Sequence, residues 1–158
     1  MIVLDTTVLL YAKGAEHPLR EPCRTLLEAV SAGAVLATTT AEVLQEVMHV
    51  RARRRGRADA ASLARDYADM LAPLLPVGED ALRRGLTLFE RHPRVEAFDA
   101  VLAAASMDAD AQALVSADAA FAEVAGLTHL TPDDPALNAI MATRRPTTRG
   151  RRDGRGRP

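Results

Sequence analysis

The chain opens Met1-Ile2-Val3-Leu4-Asp5-Thr6-Thr7, an aliphatic run with no polar alternation that stops at an acid. Such a run fits a central strand buried on both faces, the kind found in parallel sheets. Asp5 then lies at the carboxyl end of that strand, where open α/β sheets collect their ligands. A carboxylate is costly in such a place unless it ionises against something positive. A metal ion, or a cation carried by a substrate, is the expected partner.

The rest of the chain alternates short apolar segments with helical stripes. Helices are expected over Pro18–Ala32, with Gly33 as the stop, and over Ala41–Arg54, where Val43, Leu44, Val47 and Val50 form one face. Further helices are expected over Ala58–Met70, Glu79–Arg91 and Glu96–Ala105, with a helical turn from Asp118 to Val124. Ala34–Ala37, Ala113–Ser116 and Thr128–Leu130 read as short strands, the last at an edge, and Pro73 and Pro76 bracket an extended piece ending near Val77. This order indicates an α/β sandwich with a short, mostly parallel central sheet flanked by helices. Residues 1–135 form the expected domain and 136–158 an extension, Arg-rich and without apolar periodicity from about 144, read as disordered.

Composition removes several classes of function. With 158 residues, 48% apolar and 26% charged, the chain suits one domain with a proper core. Aromatics are only 3%, and Tyr11, Tyr67, Phe89, Phe98 and Phe121 all fit core or helix-face positions. Base stacking on aromatic platforms is therefore not expected. The lone Cys23 has no partner for a disulfide and no metal-type spacing around it, which suits a reducing compartment. No run approaches membrane-spanning length, so a cytoplasmic protein without membrane contact is expected. His17, His49, His92 and His129 are scattered and form no triad with Cys23 or a serine. The net charge of −1 conceals an asymmetry: residues 144–158 carry seven arginines against one aspartate, and the body is acidic.

Four of those acids can meet. Asp5 ends the first strand; Glu46 lies on the helix that follows Thr38-Thr39-Thr40; Asp99 opens the apolar helix Phe98-Asp99-Ala100-Val101-Leu102; Asp118 follows the strand Leu114-Val115-Ser116. Strand ends and the first turns of following helices share one rim of a parallel sheet. Carboxylates gathered there repel, and some take up protons at higher pH than usual. A divalent cation resolves the conflict, and an all-oxygen site suits Mg²⁺ or Mn²⁺. Glu42, one turn before Glu46, competes for its role.

The segments M-I-V-L-D-T-T, T-T-T-A-E-V-L-Q-E-V, F-D-A-V-L-A-A and L-V-S-A-D-A-A-F, in this order and spacing, resemble the PIN-domain nucleases, in particular the VapC-type toxins of bacterial toxin–antitoxin pairs. The resemblance spans residues 1 to about 131 and implies a PIN-like three-layer sandwich. It places an acidic quartet on Asp5, Glu46, Asp99 and Asp118, with Thr6 and Ser116 as nearby hydroxyls. Thr7 stands where Asn or Ser is frequent in the family, and Ser116 where Thr is usual. Glu46 is preferred over Glu42 because its spacing from Thr40 matches the family's strand–helix junction.

The resemblance implies a metal-dependent endoribonuclease. Asp5 and Asp99 would hold Mg²⁺, Asp118 would ligate directly or through water, and Glu46 would orient or deprotonate the attacking water. It also implies an RNA substrate, a small cognate antitoxin and a homodimer. Arg51 to Arg57 either cap a helix C-terminus or neutralise RNA phosphates, with Arg51 and Arg54 the nominated contacts; the Arg-rich tail either solubilises or adds to that charge. Two rivals remain in view. A haloacid-dehalogenase-type phosphohydrolase needs a second acid two residues after the first, where Thr7 stands. A degenerate PIN-like module would bind RNA or protein without turnover.

Overall fold

The computed structural model describes residues 1–142. The segment expected to be disordered from about 144 lies outside the described residues. Strand β1 (Ile2–Leu4) is followed by helices α1 (Thr6–Lys13) and α2 (Arg20–Ser31), strand β2 (Ala37–Thr38), and helices α3 (Ala41–Arg55), α4 (Arg57–Met70), α5 (Glu79–Arg91) and α6 (Ala97–Asp108). Strand β3 (Ala113–Val115), a 3-10 turn (Ala119–Glu123), strand β4 (His129–Leu130) and helix α7 (Pro135–Ala142) complete the fold.

The four strands form one parallel sheet in the order β2-β1-β3-β4. Ile2 stands opposite Ala37 on one side and Ala113 on the other, and Leu114 opposite His129. Ile2, Val3, Leu4, Leu114 and Val115 are completely buried, as unalternated apolar strands covered by helices must be. From β1 the chain steps outward to β2, and from β3 it steps the other way to β4. Right-handed crossovers therefore leave on opposite faces. That opens a crevice at the carboxyl ends of β1 and β3, the switch point where α/β sheets bind ligands.

Helix α1 falls where the sequence suggests no element. The Asp5 side chain caps it by accepting from the Thr7 N–H, and Thr6, Val8, Leu9 and Ala12 are buried. A helix covered on most sides has no polar face, so its residues show no amphipathic stripe. α7 was equally silent. The expected domain boundary near residue 135 falls at its first residue, and Leu137 beyond it belongs to the core.

The α3–α4 hairpin has local causes. The Thr40 hydroxyl caps α3 by accepting from Val43 N–H at 3.4 Å. Gly56 ends it at φ +88°, a conformation that lets α4 begin at the next residue and that side chains resist. Arg51 on α3 then grips Asp59 on α4 with two guanidinium nitrogens and reaches the Lys13 carbonyl of α1. The buried Tyr67 hydroxyl donates to the Leu9 carbonyl at 2.8 Å, pinning α4 to α1.

Helices α5 and α6 pack backbone to backbone at Gly85, where a Cβ would lie 2.8 Å from Val101 Cα. The substitution Gly85→Ala is expected to destabilise the fold by about 1–3 kcal/mol, because the obstacle is backbone and cannot swing away. A Tm equal to that of the parent would refute this packing. No described helix is long and apolar enough to cross a membrane.

Candidate active site

The crevice at the ends of β1 and β3 is walled by hydroxyls. Asp5, only 4% exposed, receives three donors on Oδ2: the Thr7 N–H at 3.2 Å, the Thr7 hydroxyl at 2.7 Å and the Ser116 hydroxyl at 2.7 Å. None of the described hydrogen bonds falls on Oδ1, so that oxygen is left to the cleft that Asp5 lines. The two hydroxyls are themselves held. Thr7 Oγ1 accepts from the Ala117 N–H at 3.0 Å, and Ser116 Oγ accepts from the Asp118 N–H at 2.9 Å. The loop after β3 is thereby stitched to the first turn of α1, which orients the carboxylate.

Glu46 enters from α3. Thr6, buried beside Asp5, donates its hydroxyl to Glu46 Oε2 at 2.7 Å. Asp99 sits in the first turn of α6, half-buried and facing the same cavity. Its carboxyl is pushed up to about 7, first by desolvation and then by the charges of Asp5, Asp118, Glu46 and Glu96. Asp118 caps the 3-10 turn through the Ala120 N–H at 2.8 Å and stands beside the cavity rather than in its lining.

The cavity, about 430 Å³, is lined by Asp5, Glu42, Glu46 and Asp99 together with Phe98 and the apolar side chains of Val77, Leu82 and Leu102. Glu42 reaches it as well, with Oε2 buried and without a hydrogen-bond partner among the described residues. Only Glu46 is both tied to Thr6 and close enough to raise Asp99, which distinguishes the two glutamates. Among the described residues no three His, Cys, Asp or Glu side chains already close into a ligating cluster. The donor set is nonetheless one a hard divalent cation fits: carboxylates that repel one another, an unused Asp5 oxygen, an orphaned Glu42 oxygen and no competing lysine or arginine in the lining.

The nominated arginines stand elsewhere. Arg51 is committed to Asp59 and Lys13, and its guanidinium holds the Asp59 carboxyl below its ordinary value. Arg54 is exposed and lies outside the cavity lining. Two residues were undervalued from sequence. Thr7 served there as a departure from the family's Asn or Ser and as the absence of a second acid, yet its hydroxyl is a direct partner of Asp5. Phe98 was placed in a core or helix-face position but is 73% exposed at the cleft mouth. It occupies the first turn of α6, whose buried face begins only at Ala100, so no preceding turn covers the ring.

The four-stranded parallel sheet with acids gathered at its switch point is the arrangement that the resemblance to PIN-domain nucleases implies, and the comparisons agree on the family. The PIN-domain family profile matches residues 2–127. Ribonuclease VapC7 of Mycobacterium tuberculosis is 54% identical over 145 residues, covering 91% of this chain and 100% of that protein. Ribonuclease VapC23 of the same species is 36% identical over 99 residues, covering 63% of this chain and 78% of that protein. The solved structure of M. tuberculosis VapC20, described as a Sarcin-Ricin loop cleaving toxin, has TM-score 0.65 at 19% identity over 77% of this chain and 93% of that one. A toxin-antitoxin complex from Klebsiella pneumoniae gives TM-score 0.62 at 16% identity over 84% of this chain and 98% of that chain. The chain belongs to the PIN-domain family, and within it to the VapC-type ribonuclease toxins.

Proposed function

We propose that this chain is a Mg²⁺-dependent endoribonuclease, with Mn²⁺ as a possible substitute, acting in the cytoplasm as the toxin of a toxin–antitoxin pair. The observation that carries the reading is the gathering of Asp5, Glu46 and Asp99 on one cavity at the sheet edge with Asp118 beside it, where burial first and then the charges of Asp5, Asp118, Glu46 and Glu96 push Asp99 up to about 7. Asp5 and Asp99 would hold the ion, with Asp118 as a direct or water-mediated ligand. A bound Mg²⁺ supplies a water of lowered pKa and neutralises charge developing on the phosphate. Glu46, steadied by the Thr6 hydroxyl, would orient or deprotonate the attacking water. Thr7 and Ser116 keep Asp5 aimed by occupying its other oxygen.

The partners follow the same reading. RNA is the substrate on this reading, supported by the relatives' name, ribonuclease, and a small antitoxin is the protein partner, supported by the toxin-antitoxin complex of like fold. A homodimer remains the expected assembly. Incubating the purified protein with RNA and Mg²⁺ is expected to give discrete cleavage products that chelation abolishes and added Mg²⁺ restores. Binding of RNA without turnover under all these conditions would instead support a degenerate module.

A further inference from the structure

The acidic cavity does not end at its acids. A second cavity of about 460 Å³ shares Glu42, Glu46 and Phe98 with it and adds Gln45 and His49. A third, of about 580 Å³, shares Gln45 and His49 with the second and adds Met48, Arg53 and Arg57 to its lining. Positions 42, 45, 46, 49 and 53 recur every three or four residues, so they form one stripe along α3. The three cavities thus follow one another along this stripe as a furrow, with acids lining it at the cleft and arginines at its far end.

Its two ends have the chemistry of a nucleic-acid track. Phe98 holds a largely exposed ring at the cleft mouth, beside Asp99, where every base has a face to offer it. Arg53 and Arg57 are exposed and make no salt bridge among the described residues, unlike Arg51, which is spent on Asp59. Seven residues of helix separate Glu46 from Arg53, about 10 Å. That spacing suits guanidinium contacts to phosphates flanking a cleavage point rather than to the scissile phosphate itself.

We propose that this furrow seats the single-stranded RNA next to its cleavage point, with a base stacked on Phe98 and backbone phosphates on Arg53 and Arg57. The assignment rests on the ribonuclease reading and replaces Arg51 and Arg54 as the cationic contacts. A protein segment is the less favoured occupant, because the furrow shares its lining with the nuclease cleft and ends in cations that make no salt bridge among the described residues.

The test uses mixed-sequence single-stranded RNA and the full-length protein carrying Asp5→Asn, which prevents cleavage during titration. Adding Arg53→Ala with Arg57→Ala is expected to weaken binding and to flatten the log–log salt slope by about 1.4, the signature of two lost phosphate contacts. Adding Phe98→Ala is expected to weaken binding by roughly 5- to 100-fold, with Phe98→Tyr retaining it and Phe98→Leu not. An unchanged affinity and slope in the double arginine variant would overturn the track. So would variants that bind RNA normally but no longer bind the antitoxin, which would give the face to a protein. If the unmodified protein shows no metal-dependent cleavage, the ribonuclease reading itself has failed; if it cleaves and the variants bind as before, only the furrow assignment falls.

Discussion

Asp5→Asn is expected to reduce Mg²⁺-dependent RNA cleavage by more than about 100-fold, since even outer partners of metal ligands cost 10–100-fold when lost. The fold should survive. Asp5 takes all three of its donors on Oδ2. An asparagine that places its carbonyl oxygen there keeps those bonds and turns its amide toward the cleft. The variant therefore exchanges the oxygen that faces the cleft for a neutral donor and leaves the stitching of α1 to the β3 loop in place. Removing one negative charge from a cluster of acids also relieves repulsion, so Tm should be equal or higher without metal. Thr7→Val offers the complementary measurement. It keeps the charge and shape but deletes one donor to Asp5 and the acceptor for Ala117 N–H, and is expected to cost about 10- to 100-fold. Initial cleavage rates, with thermal melts in parallel, check both. Full activity in Asp5→Asn would remove the metal-site reading.

What could be seen in the sequence was what is locally caused. Asp5 announced itself because the buried strand and the acid that ends it lie within five residues. The apolar stripe of α3 is local too, so the expected Ala41–Arg54 differs from the observed Ala41–Arg55 by one residue. Rim geometry allowed Asp99 and Asp118 to meet Asp5, and the family resemblance supplied the quartet and the preference for Glu46 over Glu42. The rest depends on contacts far apart in the chain. Nothing near Glu46 reveals that Thr6, forty positions earlier, donates to it. Thr7 looked like a missing acid because its partners are Asp5 and the backbone of Ala117 across the sheet. Arg51 and Arg54 were chosen for charge and order, whereas helical phase decides which arginines share a stripe with Glu46, and Asp59 on the next helix decides which are already occupied. Phe98 misled for a related reason: a ring at the start of an apolar helix has the composition of core and the geometry of surface.

A pH dependence follows from Asp99. In the unfolded chain its carboxyl titrates near 3.9; in the fold, burial and then the charges of Asp5, Asp118, Glu46 and Glu96 push it up to about 7. Between those values the folded protein keeps a proton that the unfolded chain has released. Stability without metal must therefore fall as pH rises through this window and level off above it. Because Asp99 is only half-buried, solvent screening moderates the size of the effect, but its sign is firm. The Arg51–Asp59 pair works the other way, since Asp59 is lowered, and its contribution is lost only at pH below the ordinary carboxylate range. Melting in chelator from pH 5 to pH 8 should show a decreasing Tm, and Asp99→Asn should flatten it. A divalent ion must displace the same proton, so Mg²⁺ affinity should rise about tenfold per pH unit up to about 7 and then plateau. Added Mg²⁺ should accordingly raise Tm more at pH 8 than at pH 5. A Tm in chelator that is flat or rising across that range, or an Mg²⁺ affinity independent of pH below 7, would show that Asp99 is ionised throughout and that the acids do not confront one another as the geometry requires.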